Sequence, residues 1–109
     1  MNWEQIKKDY PKAYKLYDLR FEISALSDYY GGHHPNQRAL YDFFDEQDLM
    51  IFTYYDKGNK DFHYAIYNPK TDEETGSIIS LTGIKTRKDA ETEAFEKGFE
   101  ILESKLNKD

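Results

Sequence analysis

The stretch from Thr86 to Leu106 restricts the fold more than any other part of this chain. Thr86 stands three residues before Asp89, the spacing of a capping box, in which the threonine hydroxyl accepts a first-turn amide. Ala90, Ala94, Phe95, Phe99, Leu102 and Leu106 then recur at three- and four-residue steps, which places them on one face of a helix. The small residues come first and allow close approach; the large ones fill space further along. The opposite face is charged, with Glu93 four residues before Lys97, the favourable order, worth ~0.2–0.5 kcal/mol. Gly98 costs up to ~1 kcal/mol against alanine in a helix and is read as close packing beside Phe95 and Phe99. Asn107 to Asp109 read as a frayed end.

A stripe of this kind needs an apolar surface to cover. Leu49 to Tyr55 supplies one, as a β pattern apolar or aromatic on both sides at its start, which predicts a strand that is central or covered on both faces. Asp56 to Asp61 is a turn, with Gly58 and Asn59 suited to positive φ. Phe62 to Tyr67 returns, with Phe62, Tyr64 and Ile66 alternating against His63, Ala65 and Tyr67. Asn68 to Gly76 is a charged loop, and Ser77 to Thr82 reads as a third strand. Half of the strand aromatics must face the helix.

The N-terminal part reads as helical. Asn2 can cap a first helix through Gln5, with Met1 and Ile6 at staple spacing. Pro11 biases Tyr10 out of helix. Asp9 then caps a second helix, with Pro11 in its first turn and Ala13, Leu16, Tyr17 and Arg20 along one face. Phe21 to Leu26 fits both a strand and a helix and is read as a continuation of the helix. Ser27 to Asn36 is a loop. A third helix spans roughly 36–46, capped by Asn36 or His34, with Ala39, Leu40, Phe43 and Phe44 inward and Asp42, Asp45 and Glu46 outward. Acidic groups at its end oppose the helix dipole and predict a stop near Gln47.

These elements make one α+β domain over residues 1–109: mainly helical over 1–47, a three-stranded antiparallel sheet over 49–82, and a C-terminal helix over 86–106 packed on one sheet face. With ten tyrosines and seven phenylalanines, the core is built largely from rings. Cysteine is absent, which excludes disulfides, a thiol nucleophile and thiolate metal sites. No apolar leader opens the chain and no run approaches membrane-spanning length, so the expected location is cytoplasmic. The formal net charge is −6, and residues 21–56 carry seven acidic groups against Arg38 alone. An acidic middle does not suit a phosphate backbone.

No Gly-rich phosphate loop, nucleophile elbow or paired-carboxylate motif is present, and no enzymatic activity or cofactor is expected. His33 and His34, with Asp28 upstream and His63 elsewhere, lack metal-ligand spacing and read as a solvated loop, so no metal site is expected. Asp42, Asp45, Glu46 and Asp48 form an acidic cluster that reads as a solvated helix end. Lys85, Arg87 and Lys88 place three basic residues where a helix dipole disfavours them; Arg87 can pair with Glu91. With Tyr55 and Tyr67 they are the candidate nucleic-acid-binding residues.

The run Gly83-Ile84-Lys85-Thr86-Arg87-Lys88-Asp89-Ala90 after three strands resembles the end of the arm-type DNA-binding domain of phage tyrosine recombinases, with its Gly-Phe-x-Thr-x-x-Glu-Ala turn. That resemblance covers roughly 49–106 and implies a βββα shape. The strands here lack the basic residues that the family lays on DNA. The whole chain, through Leu40-Tyr41-Asp42-Phe43-Phe44-Asp45-Glu46-Gln47, is similar to small phage and prophage proteins of Bacteroidetes, a resemblance that brings no activity with it. The expected function is a non-catalytic protein-interaction or accessory protein, phage-related, acting on a protein partner or as a homodimer through an exposed aromatic sheet face. The alternatives are a nucleic-acid-binding module and an acidic DNA mimic.

Overall fold

The capping threonine does what its position dictates: Thr86 is extended, and its Oγ1 accepts from the Asp89 amide at 3.1 Å. The computed structural model describes residues 1–21, 37–68, 78–79 and 83–108. They form α1 (Trp3–Asp9), α2 (Pro11–Phe21), α3 (Gln37–Glu46), β1 (Met50–Asp56), β2 (Asp61–Tyr67), β3 (Ile78–Ile79) and α4 (Arg87–Asn107). The α+β class is as expected. Residues 22–26, the 27–36 loop with its histidines and the proposed caps of α3, and residues 69–76 of the expected charged loop lie outside the described residues.

Helix α4 lies across one face of the β1–β2 hairpin. Ala90, Ala94, Phe95, Phe99 and Leu102 are buried, as their spacing requires. The ring-built core follows the composition. Trp3 stacks on Tyr17 at 5.0 Å, and Tyr17 meets Phe43 and Phe99 edge-on at 5.4 and 5.7 Å. Phe44 stacks on Phe95 and meets Phe99 edge-on at 5.0 Å. Such ring pairs add roughly 0.5–1.5 kcal/mol beyond their buried area. Gly98 is a point of close approach, as expected, and what approaches are Phe44 and Ile51: a Cβ there would lie 2.9 Å from Phe44 Cε1 and 3.1 Å from Ile51 Cδ1.

The N-terminus of α2 is satisfied differently from the sequence expectation. Asp9 is the last residue of α1, and its carboxylate accepts from Gln5 Nε2 at 2.7 Å. The free amide of the α2 first turn, on Ala13, donates instead to Glu103 Oε1 at 2.8 Å. Glu103 is buried, and a carboxylate at a helix N-terminus complements both the free amide and the dipole. This bond spans the chain and ties α2 to α4. Sequence periodicity put Glu103 on no particular face because a carboxylate is expected outside.

Helix α3 ends as a Schellman turn. The Leu49 amide donates to Phe44 O at 2.9 Å and the Asp48 amide to Asp45 O at 3.1 Å, with Asp48 left-handed at φ 62°. The hairpin turn also differs from expectation. Positive φ falls on Lys60, at 55°, rather than on Gly58 or Asn59. The reason is Asp56, whose Oδ1 accepts from the Gly58 and Asn59 amides at 2.9 and 3.4 Å and holds the first half of the loop as an Asx turn. Two details of α4 also differ from expectation. Lys97 bonds Glu100 at 3.1 Å rather than Glu93, and α4 runs on through Asn107.

The register of β1 with β2 is unbroken from Met50↔Tyr67 to Asp56↔Asp61. β3 pairs only Ile79 with Ala65 and Ile78 with Ile66. Of the third strand expected over 77–82, residues 77 and 80–82 lie outside the described residues, and the three-stranded sheet is shown only as the β1–β2 hairpin with this two-residue pair beside it. The order β1-β2-β3 puts β1 at the edge. This corrects the expectation that β1 is central or covered on both sides: α3 and α4 bury its Ile51 side, and its other side is open.

Gly98→Ala should lower stability by roughly 1–3 kcal/mol in urea unfolding, because overpacking against a buried ring exceeds the gain of up to ~1 kcal/mol in helix propensity. Glu103→Ala should cost about 1–3 kcal/mol in the same measurement, since it leaves the Ala13 amide without its acceptor.

Candidate functional site

Alternation along the hairpin sorts the strand side chains into two sets. Ile51, Thr53 and Tyr55 oppose Ile66, Tyr64 and Phe62 on the helix side. Met50, Phe52, Tyr54 and Asp56 oppose Tyr67, Ala65, His63 and Asp61 on the outer side. The candidate tyrosines are thereby separated. Tyr55 lies on the helix side at the turn end, and Tyr67 on the outer side at the other end. Tyr55 packs on Phe62 at 5.1 Å, and the Arg87 guanidinium lies over the Phe62 ring at 5.7 Å. A cation over a ring is worth ~0.5–1 kcal/mol at exposed sites and more where the ring, like the half-buried Phe62, is partly desolvated, and this contact replaces the expected Arg87–Glu91 pair. Lys85 and Lys88 are exposed beside it, and Lys88 shares with Arg87, Gln37 and Glu91 an open groove of about 510 Å³. The structure thus joins Arg87 to Tyr55 through Phe62 and leaves Tyr67 apart.

The outer side is where apolar surface is left uncovered, and it is uneven. Met50, Phe52 and Tyr54 are 44%, 46% and 41% exposed. On β2 the same side closes up, with Ala65 buried and His63 and Tyr67 half-buried. Tyr55, 48% exposed, extends the open region around the end of β1. Six large apolar side chains are exposed among the described residues, and four of them sit on this one strand. Scattered exposed apolar residues need no explanation, but a contiguous set does. The strand aromatics divide between two faces, as their alternation requires. That the exposed share concentrates on β1 is not visible in the alternation, because it depends on which strand is the edge.

At the turn end of the outer side, Asp56 and Asp61 stand directly opposite each other, an arrangement that like charges disfavour. Each is offset locally. Asp56 takes the turn amides and, at 2.9 Å, Asn59 Nδ2. Asp61 Oδ1 lies 2.9 Å from His63 Nε2, and the His63 ring stacks on Tyr54 at 5.4 Å. A Cβ on Gly83 would collide with the Asp61 carboxylate, which explains a glycine at that position. Asp56, Asp61 and His63 are the described residues whose donor atoms converge enough to hold a metal ion, within 4.8 Å of one another. Hairpin register and period-two alternation carry this grouping, which helical histidine spacing does not reveal.

The acidic cluster is divided by its partners. Arg20 forms a two-pronged pair with Glu46, Nε to Oε2 at 2.9 Å and Nη2 to Oε1 at 3.0 Å, and its hydrogen bond holds the Glu46 carboxyl below the usual range. Asp48 closes the α3 end. Asp45 is pushed upward, by burial first and by Asp42 second. Among the described residues no helix is long and apolar enough to cross a membrane. Comparison with protein-family models, characterised proteins and solved structures returns no match.

A carboxyl raised on folding favours the protonated native state. Its contribution is fully present below the ordinary aspartate value of 3.8 and is lost as pH rises through the raised folded value. Asp45→Asn should therefore stabilise the protein slightly at pH 7, with the advantage fading below pH ~4, as read from urea midpoints at the two pH values.

Proposed function

We propose that this chain is a non-catalytic protein-interaction or accessory protein, and that it binds through the open edge and outer side of β1. The observation that carries this reading is the concentration of Met50, Phe52, Tyr54 and Tyr55 on one edge strand. An edge strand presents unpaired backbone groups, and proteins that keep such edges solvated arm them with lysine, proline or a bulge. β1 has no lysine or proline, and its register is continuous. Aromatic and methionine side chains are the types enriched at protein interfaces, and strand addition is an established mode of recognition at such edges.

Nucleic-acid binding is the weaker reading. The basic group at Lys85, Arg87 and Lys88 does not lie on the uncovered face, and β1 carries no cation with which to follow a phosphate backbone.

A photo-reactive side chain placed at Phe52 should give one dominant protein adduct that unlabelled wild-type protein suppresses and Tyr54→Lys abolishes. The same group at Leu19, which is also apolar and exposed, should give none. Equal, diffuse labelling from both positions would overturn the interaction reading. Binding of a single-stranded oligonucleotide that weakens steeply with salt would replace it with the nucleic-acid one.

A further inference from the structure

The partner can be read from the backbone of β1, given that β1 is the binding surface. The Phe62 amide donates to Ile84 O at 2.7 Å, and the Ile84 amide donates to Phe62 O at 2.9 Å. Both main-chain groups of Phe62 therefore point away from β1. The facing pair Tyr55↔Phe62 is accordingly a non-hydrogen-bonded pair of the hairpin. Because the register is unbroken, the alternation carries along the strand. Met50, Phe52, Tyr54 and Asp56 exchange bonds with β2, while Ile51, Thr53 and Tyr55 aim their N–H and C=O groups at the open edge. Among the described residues no strand takes these groups.

We infer that the occupant of this edge is a second copy of the chain, added antiparallel, β1 to β1, about a two-fold axis through Thr53. In that register Thr53 exchanges both bonds with Thr53 of the second copy. Ile51 exchanges both with Tyr55 of the second copy, and Tyr55 with Ile51, so every outward group of the three residues finds a partner. An axis moved to Ile51 or Tyr55 would match fewer of them with one another. The side chains agree with the same axis. On the outer side Phe52 falls opposite Tyr54, and on the helix side Ile51 falls opposite Tyr55, both apolar pairs of the type that stabilises sheets. The only charged residue of β1, Asp56, falls opposite Met50. The two Asp56 carboxylates then stand six residues apart along the interface, roughly 20 Å at the strand rise, beyond the Debye length of about 8 Å. A parallel arrangement would set Asp56 beside Asp56. The interface is isologous and closes on itself, as a two-fold dimer requires, and it turns two hairpins into one continuous four-stranded core.

Light scattering on a sizing column should give twice the monomer mass of 13.0 kDa. Thr53→Pro should give a folded monomer with an unchanged far-UV spectrum, because the amide it deletes points outward and the ladder to β2 survives. The chain has no cysteine, so introduced thiols report unambiguously. A mixture of Phe52→Cys and Tyr54→Cys should oxidise to the mixed disulfide in preference to either variant alone, since those residues face each other across the axis. A wild type that stays monomeric at about 100 μM, a range that includes weak dimers, overturns the proposal. So does a dimer that persists in folded Thr53→Pro, or thiols with no preference for the mixed pair. Should Thr53→Pro unfold, the thiol pattern decides. A monomeric wild type whose Phe52 photo-label still gives a suppressible adduct with another protein overturns the second copy as occupant and leaves the interaction reading standing.

Discussion

The absence of a side chain at Gly98 is the constraint on which the arrangement of the elements depends. It lets α4 approach until Phe44 of α3 and Ile51 of β1 lie within van der Waals reach of its backbone. One helix thereby touches the third helix and the first strand at a single point. With α4 seated there, Phe95 and Phe99 reach Phe44, Phe99 reaches Tyr17, and the ring cluster closes. The same seating brings Glu103 to the first turn of α2. Few aliphatic residues are then needed, because rings meeting edge to face fill volume and contribute their own electrostatic attraction.

Covering one face of the hairpin so fully leaves the other to itself. Tyr64 and Ile66 are drawn towards the helix, and alternation sends Phe52 and Tyr54 outward. On β2 the outer residues are small or half-covered, so the uncovered apolar surface falls on β1. A strand that is both edge and apolar is an unfinished element in energetic terms: among the described residues no strand pairs its outward amides and carbonyls, and its rings remain exposed. Binding another strand would satisfy both at once.

Much of this was legible from residue order. The Thr86 cap, the α4 stripe, the interruption at Tyr10-Pro11 and the two strands of the hairpin all rest on interactions within a few residues, which spacing reveals. The places where sequence reasoning failed rest on distant partners. Asp9 had the right spacing to cap α2, but Glu103, ninety residues from Ala13 in the chain, does so. Arg87 had Glu91 one helical turn away, yet lies over Phe62. Gly58 and Asn59 had the composition for positive φ, but the Asp56 side chain moved it to Lys60. The candidate binding set was split for the same reason. Tyr55 and Tyr67 are alike in sequence context, and only the register shows that they occupy opposite sides and opposite ends.

By itself the sequence determined the local elements, the ring-rich core and the division of each amphipathic element into a covered and an uncovered side, because those follow from periodicity and near-neighbour chemistry. Only the tertiary structure decided that β1 is the edge, that its open side carries the exposed rings, and that Ile51, Thr53 and Tyr55 direct their backbone groups outward. The physical reason is that edge position and hydrogen-bond direction belong to pairings between strands. They are set by where Phe62 meets Ile84 and by which face α4 covers, and no single stretch of residues encodes either.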